Sequence, residues 1–147
     1  MLGDPVAIGL VSVAVIGTGI MTTNMRLALS GAAIPATLLV GALLKLLFER
    51  ARPVTEYAMN MKIHTFSFPS GHSSGSTVAY GLLAYFAFMK LPTPWNAIVG
   101  LAVAVLPVFV GLSRIYLGAH FPSDVVAGWI LGLAALFIII LIIQPLA

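Results

Sequence analysis

The sequence contains no cysteine and few charged residues. Only 7% of its 147 residues are Asp, Glu, Lys or Arg, and just four of these are acidic. The lack of cysteine excludes disulfides and thiolate metal sites. A soluble domain carries roughly 25% charged residues, so the shortage of charge argues against a soluble protein. The net charge of +3 is too small for a basic nucleic-acid-binding face, and we expect no nucleic-acid partner.

Apolar residues are abundant instead and make up 61% of the chain. A helix that spans a bilayer needs about 20 mostly apolar residues. Five segments approach this length, at about Pro5–Met21, Leu27–Phe48, His72–Met89, Trp95–Leu112 and Asp124–Ile143. The sequence therefore predicts an all-α fold, a polytopic transmembrane helix bundle of about five spans. We expect one membrane-embedded domain over residues 1–147, with the lipid bilayer as its surroundings.

Three of these spans have distinctive compositions. The third contains HSSGSTVAYG, and such small residues favour packing against other helices over contact with lipid. Pro107 in the fourth predicts a kink. The second half of the fifth, LFIIILII, predicts a lipid-facing surface.

The ionisable residues are concentrated at one face of the predicted bundle. Of seven basic residues, four acidic residues and three histidines, eight lie between Lys45 and His72. Alternation of the spans brings this segment to the same face as residues 113–124. Ionisable residues at membrane depth mark function by default. Five loop residues receive no role and are expected to be solvated: Glu49, Arg50, Glu56, Lys62 and His64.

The orientation of the bundle follows from two basic residues. Arg26 and Lys90 lie in the short turns of the opposite face, and the positive-inside rule places those turns in the cytoplasm. The ionisable cluster then faces outward, on the periplasmic side of a bacterial inner membrane. With five spans the N-terminus would lie outside and the C-terminus inside.

Side chains in the cluster suit an anionic ligand. Lys45, Arg52 and Arg114 offer three cations, which fit a dianion such as phosphate. Ser70 and Gly71 precede or begin the third predicted helix, where free backbone N–H groups bind anions. Ser113 fits a local hydrogen bond as well as a ligand contact.

Two histidines and one acid suggest what happens to that phosphate. A neutral imidazole can attack phosphorus, and a second, protonated imidazole can act as general acid. His72 and His120 are the two candidates. Asp124 lies four residues after His120, close enough to fix its tautomer if the chain is helical there. This chemistry needs no metal or other cofactor.

These residues resemble the signature of the type-2 phosphatidic acid phosphatase family of integral membrane lipid phosphatases. Its three parts are Lys-x6-Arg-Pro, Pro-Ser-Gly-His and Ser-Arg-x5-His-x3-Asp. They match Lys45 to Pro53, Pro69 to His72 and Ser113 to Asp124. The resemblance implies a six-span core whose first span is missing here.

The resemblance also implies a role for each residue. His120 would be the nucleophile that forms a phosphohistidine, Asp124 its partner and His72 the acid for the leaving group. The phosphate ligands would be Lys45, Arg52, Ser70, Gly71 and Arg114, and catalysis would be independent of metal.

Several alternatives remain open at this point. A lipid phosphotransferase would use the same phosphohistidine, and a non-catalytic anion-binding bundle would explain the cations but not both histidines. A vanadate-dependent haloperoxidase shares this type of anion site but is soluble. The substrate could be undecaprenyl diphosphate, phosphatidylglycerol phosphate, phosphatidic acid or phosphorylated lipid A, with a preference for the first two. The oligomeric state is not predicted.

Overall fold

The computed structural model describes residues 3–60 and 65–143, and within these residues it contains helices and no strands. The helices are α1 (Pro5–Met21), α2 (Met25–Phe48), α3 (Glu56–Met59), α4 (Gly71–Lys90), α5 (Trp95–Ala104), α6 (Leu106–Tyr116) and α7 (Pro122–Ile143). Every predicted span is therefore helical, and the all-α prediction is confirmed. Two of the five loop residues, Lys62 and His64, lie outside the described residues.

In the part of the chain that the structure describes, three long stretches of helix have the length and apolarity to cross a membrane. They are α2, the nearly continuous pair α5–α6, and α7. The apolar helix α1 is shorter, at 17 residues. The 20-residue α4 is not in this set because its first two turns consist largely of Ser, Gly and Thr.

Helix α4 lies at the centre of the bundle and contacts α1, α2, α5, α6 and α7. More than half of its residues are buried, including its three serines and Thr77. The prediction that this span packs against helices is confirmed. Close packing depends on glycines of α7, since a Cβ on Gly128 or Gly132 would lie within 3 Å of a backbone oxygen of Ser70 or Ser74.

The apolar core lies further along the same helices. It is formed by buried side chains from α1, α2, α4 and α7: Ile8, Val15, Ile34, Val78, Ala79, Leu82 and Ile139. The outer face of α7 is exposed in the isolated chain, as at Phe137, Ile138 and Leu141. Such a surface is stable in lipid and not in water, as predicted for LFIIILII.

The fourth span is interrupted at Val105, between α5 and α6. Pro107 lacks the N–H that would continue the α-helical hydrogen bonding from α5, which confirms the predicted kink. The carbonyl oxygen of Pro107 accepts a hydrogen bond from Nε1 of Trp129 at 3.1 Å. This bond ties the kink to α7.

Candidate functional site

Three separate segments meet at one end of the bundle. The residue that follows α2, Glu49, has a left-handed conformation with φ of 42°, which ends the helix and turns the chain. The backbone N–H of Ser67 donates to the carbonyl of Arg50 at 2.8 Å, and that of Ser70 donates to the carbonyl of Asp124 at 2.9 Å. Backbone hydrogen bonds thus join the residues after α2 to those before α4, and the latter to the start of α7.

A cavity of about 200 Å³ opens among these segments. Five of the predicted site residues line it: Lys45, Arg52, Gly71, His72 and His120. The remaining lining residues are Thr65 and a largely apolar set from α1 and α2 and the residues before α1: Gly3, Pro5, Ile8 and Leu38. The cavity therefore has a polar, cationic side and an apolar side.

Two cations are held in place by main-chain oxygens. Nζ of Lys45, in the last turn of α2, donates to the carbonyl of Phe66 at 2.7 Å. Arg52 donates from Nε to the carbonyl of Thr65 at 2.8 Å and from Nη1 to the carbonyl of Ala119 at 3.0 Å. Burial lowers the pKa of Arg52, but a guanidinium stays charged in proteins. Both positive charges are thereby fixed at the cavity wall.

The start of α4 presents backbone donors to the cavity. Ser70 is the N-cap residue and is fully buried; its Oγ accepts from the N–H of Ser73 at 3.4 Å. Nothing lies within 4 Å of a Cβ built on Gly71, so the backbone there is open to a ligand. Since the first N–H groups of a helix have no partner within the helix, this end of α4 can hold an anion.

His120 lies in the turn between α6 and α7. Its Nε2 is 3.4 Å from Nη1 of Arg52, and its Nδ1 is 3.6 Å from Oδ2 of Asp124. The second distance is too long for a hydrogen bond, although the two side chains lie next to each other. Burial, followed in order of size by the charges of Arg52, Lys45 and His72, lowers the pKa of His120 to about 3. The imidazole is therefore neutral at physiological pH, as a nucleophile requires.

Asp124 is completely buried in the first turn of α7. Its Oδ2 accepts a hydrogen bond from the N–H of Phe121 at 2.9 Å. Its Oδ1 lies 2.8 Å from Nη1 of Arg50. The carboxylate is thus both a helix-start acid and the buried member of an ion pair whose other member, Arg50, is partly exposed.

The expectation that Arg50 is only a solvated loop residue is wrong. Besides its ion pair, Nη1 of Arg50 donates to Oγ of Ser123 at 2.7 Å, and its guanidinium carbon lies 4.4 Å from the ring centre of Phe121. No pattern in the sequence indicates this contact. Arg50 precedes Arg52 by two residues, and both side chains reach the 119–124 segment.

Arg114 lies behind the cavity wall and not in it. It occupies the last turn of α6, is only 6% exposed, and donates from Nε to Oγ of Ser113 at 3.2 Å. Oγ of Ser113 donates to the carbonyl of Val110 at 2.7 Å, so Ser113 makes the local hydrogen bond that was one of its two expected uses. The positive charge of Arg114 lies close enough to His72 for an electrostatic interaction between the two side chains.

Two further observations on the described residues give no competing site. Within residues 3–60 and 65–143, no three His, Asp or Glu side chains are grouped to hold a metal ion. A larger cavity of about 1000 Å³ is lined by α1, α2, α4, α7 and the turn after α1. Its charged residues are Arg26 and Lys90, and it contains neither histidines nor acids.

Comparison with known proteins decides the family. Residues 25–146 match the model of the PAP2 superfamily, which includes all three parts of the signature. The chain belongs to the PAP2 superfamily. A solved PAP2 structure, described as the first transmembrane PAP2 type phosphatidylglycerolphosphate phosphatase from Bacillus subtilis, is 31% identical with a TM-score of 0.81. The alignment covers 99% of this chain and 75% of that one.

Two curated proteins are also similar to this chain. Phosphatidylglycerophosphatase B of Bacillus subtilis (strain 168) is 40% identical over 103 residues, which are 69% of this chain and 50% of the relative. Undecaprenyl-diphosphatase of Sulfolobus acidocaldarius is 38% identical over 101 residues, or 65% of this chain and 44% of the relative. The chain spans about half the length of the curated relatives it matches.

Proposed function

We propose that this PAP2 protein is a lipid phosphatase that removes a terminal phosphate from a membrane lipid phosphate or diphosphate. The observation that carries the proposal is the position of His120. Its imidazole lines a cavity that Lys45, Arg52 and the start of α4 also line, with a buried carboxylate on its other side. A nucleophile, cationic anion ligands and backbone donors are thereby within reach of one phosphoryl group.

The first half of the reaction is transfer to His120. Lys45, Arg52 and the N–H groups at the start of α4 bind the phosphate oxygens, with Arg114 and Ser70 supporting them from behind. The lone pair of Nε2 attacks phosphorus, the bond to the leaving oxygen breaks, and His72 donates a proton to that oxygen. The cations stabilise the charge on the equatorial oxygens in the transition state.

The second half is hydrolysis of the phosphohistidine. His72, now neutral, takes a proton from water as the water oxygen attacks phosphorus. The P–N bond breaks, its electron pair returns to His120, and inorganic phosphate leaves. Asp124 stabilises the positive charge that His120 carries while it is phosphorylated, if the 3.6 Å separation closes to a hydrogen bond.

The shape of the cavity supports a lipid substrate. Pro5, Ile8 and Leu38 form an apolar side next to the cations, which suits a phosphate attached to an alkyl or prenyl chain. The names of the two relatives described above favour phosphatidylglycerol phosphate and undecaprenyl diphosphate. Two other relatives are named lipid A 1-phosphatase, so phosphorylated lipid A stays in the test beside phosphatidic acid. We place the domain in a bacterial cytoplasmic membrane with the site facing the periplasm, opposite Arg26 and Lys90.

The test is phosphate release by the detergent-purified protein from those four lipids. We expect release from at least one lipid, and loss of release in His120→Ala because the phosphohistidine can no longer form. Lys90→Ala, at the far end of α4, is the matched control and should stay active. Full activity in His120→Ala would refute the nucleophile.

A second measurement separates hydrolysis from transfer. With ¹⁸O-labelled water, hydrolysis places one labelled oxygen in each phosphate released. A phosphotransferase would release little phosphate without an acceptor and would place the phosphoryl group on an added alcohol. Binding of phosphate by a folded wild-type protein that neither hydrolyses nor transfers it would favour the non-catalytic bundle.

A further inference from the structure

Asp124 needs a partner that the signature does not include. The carboxylate is fully buried in the protein, and burial of an unpaired charge is very unfavourable. His120 does not supply the compensating charge, since its Nδ1 lies 3.6 Å from Oδ2 and its imidazole is neutral. The N–H of Phe121 satisfies Oδ2 only. The charge opposite Asp124 at hydrogen-bond distance is that of Arg50.

Arg50 is held by several contacts at once. Nη1 bonds to Asp124 and to Ser123, and the guanidinium lies over the ring of Phe121. Its carbonyl oxygen accepts from the N–H of Ser67 at 2.8 Å and from Oγ of Ser67 at 3.2 Å. Both ends of the residue are fixed, so the direction of the guanidinium is defined although its side chain is 39% exposed.

Arg50 does not line the cavity, whereas Arg52 does and approaches Nε2 of His120. The two arginines therefore contact opposite sides of the catalytic pair. Arg52 faces the side where phosphate would bind, and Arg50 faces the far oxygen of the carboxylate. A role for Arg50 in phosphate binding does not fit this arrangement.

We propose that Arg50 is a positioning residue for the reaction inferred above. It holds Oδ1 of Asp124 so that Oδ2 stays directed at His120, and its charge limits how strongly the carboxylate stabilises a protonated His120 in the resting enzyme. This inference rests on the proposed function, because it concerns how the nucleophile is kept neutral and oriented.

The charges that face His120 come from four segments. They are Lys45 on α2, Arg52 on the loop after it, His72 on α4, and Asp124 on α7. The first three disfavour a proton on His120, and the carboxylate favours one. Loss of Arg50 strengthens the influence of the carboxylate, so His120 should take up a proton at higher pH.

The experiment compares Arg50→Met with Arg52→Met in phosphate release and in inhibition by inorganic phosphate. For Arg50→Met we expect kcat to fall by roughly 10- to 100-fold, the scale of a small misplacement, with KM and phosphate inhibition nearly unchanged. The acidic limb of kcat/KM should move to higher pH. Arg52→Met should instead raise KM and weaken phosphate inhibition.

A double-mutant cycle tests whether Arg50 acts through Asp124. In an Asp124→Asn background, Arg50→Met should cost little further activity, since the group it positions has been altered. Equal and independent losses in the two backgrounds would overturn the proposal. So would an Arg50→Met protein whose KM and phosphate inhibition change as in Arg52→Met.

Arg50→Lys keeps the test decisive if Arg50→Met does not fold. Lysine retains the charge opposite Asp124 but lacks the planar guanidinium that lies over Phe121 while its Nη1 bonds to Ser123 and Asp124. We expect a reduced kcat and an acidic limb at the wild-type pH. Wild-type kcat in Arg50→Lys together with a raised KM would refute a positioning role. Absence of activity in the wild-type protein, or full activity in His120→Ala, would refute the proposed function instead.

Discussion

The contact between α7 and the start of α4 can be tested with a single methyl group. A Cβ at Gly128 would lie 2.6 Å from the carbonyl oxygen of Ser70 and 2.8 Å from Cβ of Ser73. Both are atoms close to the main chain, so no flexible side chain can move aside. To reach ordinary van der Waals separation the two helices must move apart by roughly 0.8 Å.

Gly128→Ala should therefore affect both stability and activity. Overpacking of this kind costs about 1–3 kcal/mol of unfolding free energy. The same movement displaces Ser70 and the first N–H groups of α4 from the proposed anion site, and a misplacement near 1 Å can lower a rate by about 10²-fold. We expect a lower melting temperature in detergent and a fall in kcat/KM of up to that size.

Gly9→Ala is the matched control, because nothing lies within 4 Å of a Cβ at that position. It adds the same methyl group to a helix without a clash, so it should not lower the melting temperature and should leave phosphate release unchanged. If Gly128→Ala also matched the wild-type protein in both assays, the start of α4 could not be held against α7 as tightly as described. The link from packing to the anion site would then be wrong.

Three further predictions concern pH, packing and metal. Burial and the nearby charge of Arg52 lower the pKa of His120 to about 3; the acidic limb of kcat/KM should thus lie below about 6.5, the usual value for His. Because His120 binds a proton more readily in the unfolded chain, its contribution to the unfolding free energy is fully present above about pH 6.5 and is lost as pH falls toward about 3. A melting temperature that decreases over this range would show the loss. Trp129→Phe removes the donor to Pro107 and should cost about 1 kcal/mol in thermal unfolding, whereas Trp95→Phe, at an exposed position, should cost almost nothing. Phosphate release should persist in EDTA and be inhibited by vanadate; activity lost in EDTA and restored by Mg²⁺ would contradict metal-free catalysis.

The sequence was sufficient to predict the helices and the convergence of the site. Runs of apolar residues and the position of Pro107 fix the spans because backbone groups in a membrane must be satisfied within helices. The spacing from Lys45 to Arg52 crosses the end of α2, and Gly71 begins α4. Because successive spans alternate in direction across the membrane, these segments were expected at the same face as His120.

The role of Arg50 could not be predicted, for a physical reason. Its direction depends on the left-handed conformation of Glu49 and on a backbone hydrogen bond to Ser67. The first is a local backbone conformation and the second is a long-range contact, and the type of residue at position 50 determines neither. The same applies to Thr65, which anchors Arg52 from a segment without any recognisable pattern. The 3.6 Å separation of His120 and Asp124 is set by the turn before α7 and not by a regular helix through both residues.

The cavity is built from two parts of the chain, one before the family match and one within it. Its cations and histidines lie between Lys45 and His120, whereas Gly3, Pro5 and Ile8 belong to α1 and the residues before it, which precede the family match at residues 25–146. Under the proposed function, a change in α1 would alter the apolar side of the cavity and leave the residues proposed for catalysis unchanged. A chimera that exchanges only this helix between relatives would show whether substrate preference follows the helix while catalytic activity follows the rest of the chain.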